Sequence, residues 1–392
     1  MTTLFLQIIR SLSAIRMVVF LLAFLGHISY ATSTVPTFPK PSNDFEQYLE
    51  DAWSYLSQNS LRHRTQEGIA LNMPFELTAN KDTTYRGKFL LIHGLNDSPF
   101  VWRDTAAQLV ARGFDVRAIL LPGHGTTPEH MLDVHYSDWL QTARQHLKLW
   151  NTDDTPLFLG GFSLGGVIAT ALSIENETIA GLLLFSPAYH SRLNHLLRWS
   201  WLYQKFQPWL FGGMIIEDNP AKYNSIPINS GDQYYRMTRY LKKKWKQRKI
   251  RIPTLVVVTV DDSVVDIPYV RKVFQRRFKH EDSRLIVYSA NPHTELNHNE
   301  VLRNSEYLER RILNQAHLSL MNAPDNMLYG GEDGLLICNG NEYPIFMACM
   351  RSPEHWYGAQ HTPSPDEVAV ARTTINPDFH FVFEEFDRVF SQ

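Results

Sequence analysis

Short, largely apolar runs recur along the chain, separated by stretches in which apolar residues return every three or four positions. Gly87–Ile92, Phe114–Leu121, Pro156–Leu159, Gly181–Phe185, Pro253–Thr259 and Arg284–Tyr288 are these runs. Runs of this length, bounded by turn residues, predict buried β-strands. Phe45, Tyr48, Leu49, Ala52, Tyr55 and Leu56 fall at spacings of three and four and predict a helix from about Phe45 to Leu56. Val101–Arg112, closed by Gly113, and Tyr136–Trp150 predict further amphipathic helices. Gly68–Leu77 and Thr83–Tyr85 are candidate early strands.

One junction between strand and helix carries chemistry. Pro156–Leu159 leads into Gly160-Gly161-Phe162-Ser163-Leu164-Gly165-Gly166, and Val167–Ala171 continues as a helix. A Gly-x-Ser-x-Gly turn between strand and helix predicts a nucleophile elbow, in which a strained serine needs flanking glycines because a Cβ there would strike the neighbouring strand or helix. Ser163 is the candidate nucleophile. The free N–H of Leu164, at the helix start, is a candidate oxyanion donor. A second donor must come from a loop after a neighbouring strand. His93-Gly94-Leu95 follows the Gly87–Ile92 run, so the N–H of Leu95 takes that role. His93 competes as a catalytic base, but its place directly after a strand predicts that it holds the loop by hydrogen bonds.

Composition narrows the partners. The chain has 392 residues with 38 Lys and Arg against 40 Asp and Glu, a balance that gives no support for a nucleic-acid partner. Arg10 and Arg16 precede an apolar segment, Met17–Gly26, and Ser29-Tyr30-Ala31 is small at the two positions a signal peptidase reads. That segment matches a signal-peptide core and is shorter than the ~20 residues of a membrane span. Residues 1–31 are therefore expected to export the protein, periplasmic or secreted; an uncleaved N-terminal anchor is the alternative. Residues 32–43, rich in Pro, Ser and Thr, read as a linker. Cys338 and Cys349 are the two cysteines, equally readable as a disulfide or as buried thiols. Neither a metal nor a cofactor is implied.

His-Gly-Leu, an amphipathic helix closed by Arg-Gly-Phe, a strand into Pro122-Gly123-His124-Gly125, and then Gly-Phe-Ser-Leu-Gly-Gly occur in one order and spacing. Together they resemble the α/β-hydrolase superfamily, and within it the monoacylglycerol lipase, lysophospholipase and serine aminopeptidase branch, over about Lys88 to Leu313. The resemblance implies an α/β-hydrolase fold: a mostly parallel sheet flanked by helices, core segments at 44–188 and 252–315, and a cap inserted at 189–251. It makes His124 structural. It places the acid in the turn after Pro253–Thr259, similar to the family's Gly-x-x-Asp-x-x-Val with Thr259 in the glycine position. Asp262 is then the acid, with Asp261 and Asp266 as competitors. The family carries its histidine in the loop after the Arg284–Tyr288 strand, which points to His293, with His298 in a surface or supporting role.

In the cap, Trp199, Trp201, Tyr203, Phe206, Trp209 and Phe211 crowd together before a basic stretch that includes Lys242-Lys243-Lys244. The aromatic cluster reads as a lid that receives an acyl chain, and the lysines as a solvated helix face. The expected activity is that of an exported serine hydrolase on a lysophospholipid, a monoacylglycerol or a similar acyl ester, with membrane contact through the N-terminus or the cap. A peptidase or amidase would need a carboxylate near the lid to anchor an amine, for which Glu217 and Asp218 are the candidates. Acyl transfer and a non-catalytic binding role are the remaining alternatives. Within residues 316–392, Gly330–Phe346 suggests a hairpin around an Asn-Gly pair, and Phe379–Phe390 is an aromatic amphipathic run with no assigned role.

Overall fold

The computed structural model describes residues 37–61, 64–339 and 343–391; the predicted export segment and the first part of the linker lie outside the described residues. Strands β1 (Phe75–Leu77), β2 (Gly87–Ile92), β3 (Phe114–Ile119), β4 (Leu157–Phe162), β5 (Ile179–Phe185), β6 (Thr254–Thr259), β7 (Arg284–Ser289) and β8 (Glu300–Asn304) form one sheet in the order β1-β3-β2-β4-β5-β6-β7-β8. β1 pairs antiparallel with β3, and all other pairs are parallel.

Parallel neighbours need crossover connections, and helices supply most of them. α1 (Phe45–Asn59) and α2 (Gln66–Ala70) precede the sheet, while α3 (Arg103–Val110), α4 (Tyr136–Trp150) and α5 (Leu164–Glu175) link β2 to β5. The cap between β5 and β6 holds α6 (Asn194–Leu197), α7 (Ser200–Tyr203) and α8 (Ile228–Lys244). α9 (Ile267–Arg277) joins β6 to β7; α10 (Tyr343–Arg351) and α11 (Phe379–Val389) follow β8. This is the α/β-hydrolase fold that the motif order implied.

The central strands read as largely apolar runs because both faces are covered. Leu90, Leu182, Leu184, Val256 and Val258 point into a core shared with α4, α5, α8 and α9. The alternate residues Phe89, Leu91, Leu183, Phe185, Leu255 and Val257 point into a second core sealed by α3 and α11. Phe383 and Phe386 of α11 are fully buried, and the Phe386 ring lies 5.9 Å from Phe89 and 5.8 Å from Phe114. The last helix of the chain is thus one wall of the molecule.

Three local readings change. Gly68–Leu77 divides into α2, whose Gly68 N–H is capped by the Thr65 hydroxyl at 3.1 Å, and the three-residue β1. Thr83–Tyr85 forms no strand, since the Thr83 N–H and hydroxyl both turn back onto the Asn80 carbonyl. Leu335–Cys338 is not a strand either: Cys338 is bonded to Cys349 on α10, which begins where the hairpin's second strand was expected. The pairing settles the cysteine question.

Candidate active site

Ser163 sits between β4 and α5 with φ 54° and ψ −114°, a left-handed backbone conformation that side chains other than glycine rarely adopt. The surroundings hold it there. Its N–H donates to the Phe185 carbonyl at 3.0 Å, and its carbonyl accepts from Gly166 at 3.1 Å and from Ala188 at 3.0 Å. A Cβ on Gly165 would lie 1.9 Å from the Ile92 carbonyl oxygen, and one on Gly161 would lie 2.5 Å from that of Gly165. Strand β2 and the first turn of α5 therefore approach so closely that only glycine fits on either side of the serine.

Asp262 follows β6 and is fully buried. Its Oδ1 accepts from the N–H groups of Val264 at 2.8 Å and Val265 at 2.9 Å, which fixes the carboxylate in the turn. Its Oδ2 lies 2.6 Å from Nδ1 of His317. The two neighbouring acids have other surroundings. One oxygen of Asp261 is buried without a partner among the described residues, and burial pushes that carboxyl above its ordinary range against the pull of Arg192. Asp266 caps α9 through the Tyr269 N–H at 3.0 Å and meets His190 at 3.1 Å.

The histidine on Asp262 is therefore His317, and His293 has to be corrected. The loop after β7 does not cross to the acid; it runs back along the sheet edge so that β8 can pair parallel with β7, Leu285 opposite Glu300 and Ser289 opposite Asn304. His293 stays on that return loop, exposed, with its backbone N–H on Asn291 Oδ1 at 2.9 Å and no hydrogen bond from its ring to a described residue. His298 is exposed as well, and its carbonyl accepts from Gln275. Only after β8 does the chain return to the acid turn. There the Thr259 hydroxyl donates to the Gln315 carbonyl at 3.3 Å, and Ser319 Oγ bonds the Gln315 side chain at 2.6 Å and accepts from the Ala316 N–H at 3.0 Å. Thr259, which departs from the family's glycine, thus ties down the loop that bears His317. The imidazole packs 4.9 Å from the ring of Phe162, the residue before Ser163, so Ser163, Asp262 and His317 share one end of the sheet.

The candidate oxyanion donors stand on the two sides of the elbow. Among the described residues no acceptor takes the N–H of Leu95 or that of Leu164. His93 is fully buried: its Nε2 accepts from the Leu121 N–H at 3.1 Å, and its Nδ1 bonds the Gly94 carbonyl at 2.8 Å. Burial, with His124 beside it, holds its pKa well below the ordinary histidine value, so the ring stays neutral and links the loop to the end of β3. His124 is buried on the Pro122 carbonyl at 3.0 Å, with its pKa pushed down to about 4 by burial. A further carboxyl, Asp97, lies buried in the same loop. Its Oδ2 would be 2.7 Å from a Cβ on Gly94, and burial raises its pKa, opposed by the charges of Lys222 and His317.

In the cap, the Glu217 carboxylate is engaged by the backbone N–H groups of Asn224 at 2.9 Å and Ser225 at 2.6 Å, and Asp218 accepts from Asn224 Nδ2 at 2.7 Å. Of the three lysines in sequence, Lys244 pairs with Glu175 at 3.2 Å. No helix of the described residues is long and apolar enough to cross a membrane.

In sequence, a stretch of 99 residues, 25% of this chain, is 27% identical to the thermostable monoacylglycerol lipase of Bacillus sp. (strain H-257) and spans 40% of that protein. Among solved structures, a soluble variant of the Saccharomyces cerevisiae monoglyceride lipase, in complex with a substrate analogue, superposes with a TM-score of 0.45 at 17% identity, over 58% of this chain and 85% of that one. The Paleococcus ferrophilus monoacylglycerol lipase gives a TM-score of 0.43 at 18% identity, over 55% and 88% of the two chains. Residues 83–300, more than half of the chain, match the family described as serine aminopeptidase, S33. With strand order, elbow and family pattern in agreement, the chain belongs to the serine aminopeptidase, S33 family on the α/β-hydrolase fold.

Proposed function

We propose that the protein is an exported serine hydrolase that cleaves carboxylic esters of single-chain lipids, such as a monoacylglycerol or lysophospholipid, through an acyl-enzyme. The observation that carries this reading is the 2.6 Å contact between buried Asp262 and His317 beside the strained Ser163. Serine at its free pKa is a weak nucleophile; a neighbouring imidazole oriented by a carboxylate removes its proton as the Oγ–acyl bond forms. Asp262 keeps the proton of His317 on Nδ1, which leaves Nε2 free to act as base. The N–H groups of Leu95 and Leu164 receive the oxyanion. Collapse of the tetrahedral intermediate expels the alcohol, protonated by His317, and water then repeats the sequence on the acyl-enzyme.

The ester preference is supported by the sequence likeness to the Bacillus lipase and by the apolar cap. An amine-anchoring role for Glu217 is disfavoured, because its carboxylate already binds two cap N–H groups. A fluorophosphonate probe tests the activated serine: labelling should appear on the folded protein and vanish in Ser163→Ala, and a protein that is never labelled would be a binding module. Acyl esters of graded chain length, run against aminoacyl amides, then test the substrate class. Faster amide cleavage would replace the esterase reading with a peptidase one.

A further inference from the structure

Positive charge is gathered in two stretches that the ester chemistry does not use. Gln233–Arg251 contains nine Lys and Arg and no Asp or Glu, and Ile267–His280 contains five and again no acid. The rest of the chain holds 24 basic residues against 40 acidic ones. The fold joins the two stretches into one face. The Arg277 guanidinium donates to the Trp245 carbonyl at 2.7 Å, the Ile250 N–H to the Arg277 carbonyl at 2.9 Å, and the Lys279 N–H to the Ile250 carbonyl at 2.8 Å. They meet where β6 and β7 begin, at Thr254 and Arg284, whereas Asp262 follows the end of β6. The six residues of that strand set about 20 Å between this face and the catalytic end of the sheet.

Ion pairs and helix ends account for part of the cluster. Arg236, Lys244, Arg248 and Arg271 pair with Asp232, Glu175, Glu177 and Glu300. Lys242 and Lys243 end α8, and Arg276 and Arg277 end α9, where the helix dipole favours cations. Lys246, Lys249, Arg251 and Lys279 have neither reason: they lie beyond both helices, exposed, and form no ion pair among the described residues. Arg239 and Lys243, and likewise Lys272 and Arg276, stand four apart on their helices, the spacing at which like charges repel. A polyanion on this face relieves that repulsion.

The rest of the face selects the partner. None of the large apolar side chains exposed among the described residues lies in either stretch. The face therefore offers no exposed ring on which a nucleobase could stack, and no apolar anchor for a protein partner or for acyl chains. Recognition is by charge alone, spread over two elements instead of converging in a pocket, which fits a chain of repeating anionic groups. For an exported protein, such a chain is a glycan.

We infer that the face built by Gln233–Arg251 and Ile267–His280 holds the protein on an acidic polysaccharide, a linear chain bearing sulfate or carboxylate groups, and leaves the catalytic end free for substrate. This binding is measured without turnover, so it stands or falls apart from the hydrolase reading. Labelled heparin and polygalacturonate supply the sulfate and carboxylate probes, and neutral dextran the control, with the full chain titrated by fluorescence anisotropy between about 50 and 300 mM NaCl. The wild type should bind at least one of the two polyanions and not dextran, with log K falling against log[NaCl] at a slope of about 3 or steeper. Lys246→Gln with Lys249→Gln and Lys279→Gln should weaken binding at least about tenfold and flatten the slope by about 2 to 3. Lys40→Gln with Lys81→Gln and Arg310→Gln makes the same change of net charge at exposed sites elsewhere, and should stay within about twofold of the wild type. Both triple variants should keep the wild-type thermal midpoint and fluorophosphonate labelling. An equal loss in the second triple variant would make net charge, not this face, responsible and would overturn the inference. A wild type that binds neither polyanion, or that binds duplex DNA or phosphatidylglycerol vesicles more tightly at equal salt, overturns it as well.

Discussion

Replacing His317 by alanine should remove the hydrolytic activity, and replacing His293 should not. The size of the effect follows from how Asp262 is held. With Oδ1 committed to the N–H groups of Val264 and Val265, and Oδ2 on His317 at 2.6 Å, the carboxylate cannot turn to another base without abandoning two backbone donors. His293 and His298 lie on an exposed return loop beyond β7, so neither of these two imidazoles can stand in. Loss of a triad histidine costs on the order of 10⁴ to 10⁶ in kcat, about 5 to 8 kcal/mol of transition-state stabilisation. The same change removes a charge-assisted hydrogen bond from a fully buried carboxylate, so stability should fall by about 1 to 3 kcal/mol. Initial rates on a soluble short-chain ester, normalised to folded protein by circular dichroism, measure the first effect, and urea unfolding measures the second. His293→Ala should stay within about twofold of the wild-type rate, since an exposed side chain that bonds no described residue changes little. A His317→Ala protein that retained more than about one-hundredth of kcat, while His293→Ala lost as much, would refute the assignment of the base and the chain path that supports it.

Other regions give independent checks. Phe386→Ala, in the aromatic layer of α11 against Phe89 and Phe114, should cost about 3 to 5 kcal/mol by urea unfolding; a cost below about 1 kcal/mol would mean that the last helix is not part of the core. Breaking the Cys338–Cys349 bond, whose partners are 11 residues apart, should cost about 3 kcal/mol by the loop-entropy relation, seen as a lower thermal midpoint in Cys338→Ser with Cys349→Ser and in reduced wild type, with turnover of the remaining folded enzyme unchanged. His146 is fully buried against the Tyr48 ring, neither of its nitrogens is bonded to a described residue, and burial with nearby Arg117 pushes its pKa down to about 3. The unfolded chain takes up a proton there below its ordinary pKa and the folded chain does not. This contribution to stability is therefore complete above about pH 6.5 and declines as pH falls, by up to about 1.4 kcal/mol per unit. His146→Leu should flatten the fall in unfolding free energy between about pH 6 and pH 4, and an unchanged slope would show that the ring is protonated in the folded protein.

Much of this molecule is written locally. β2, β4, β5 and β6 are covered on both faces, so they had to be largely apolar runs and could be read as such. The elbow needs glycine wherever Ile92 and the first turn of α5 approach Ser163, and that steric demand leaves its mark within seven letters. Asp262 directly follows a strand, so its position travels with a strand that is easy to see. β8 left no comparable mark. It is an edge strand with Glu300, Arg303 and Asn304 in five residues, and the charge of Glu300 is hidden because Arg271 meets it at 2.6 Å and the Asn297 N–H at 2.8 Å in the fold. Missing it put the candidate base one strand too early, at His293, where the structure sets His317 on Asp262.

What the sequence determined by itself was the set of pieces: the strands that must be buried, the strained serine, the acid turn, and the order in which they come. Which histidine meets the acid was decided by tertiary structure, across 55 residues of chain, by a return loop, an added strand, and a Thr259–Gln315 bond that appears only once the two segments touch. The same holds for the cysteine pairing and for α11 as a wall of the core. A steric requirement acting on neighbours in sequence restricts the residues at fixed spacing, and so can be read. Convergence of distant segments requires only compatible chemical types, which several residues offer, and packing then selects one of them.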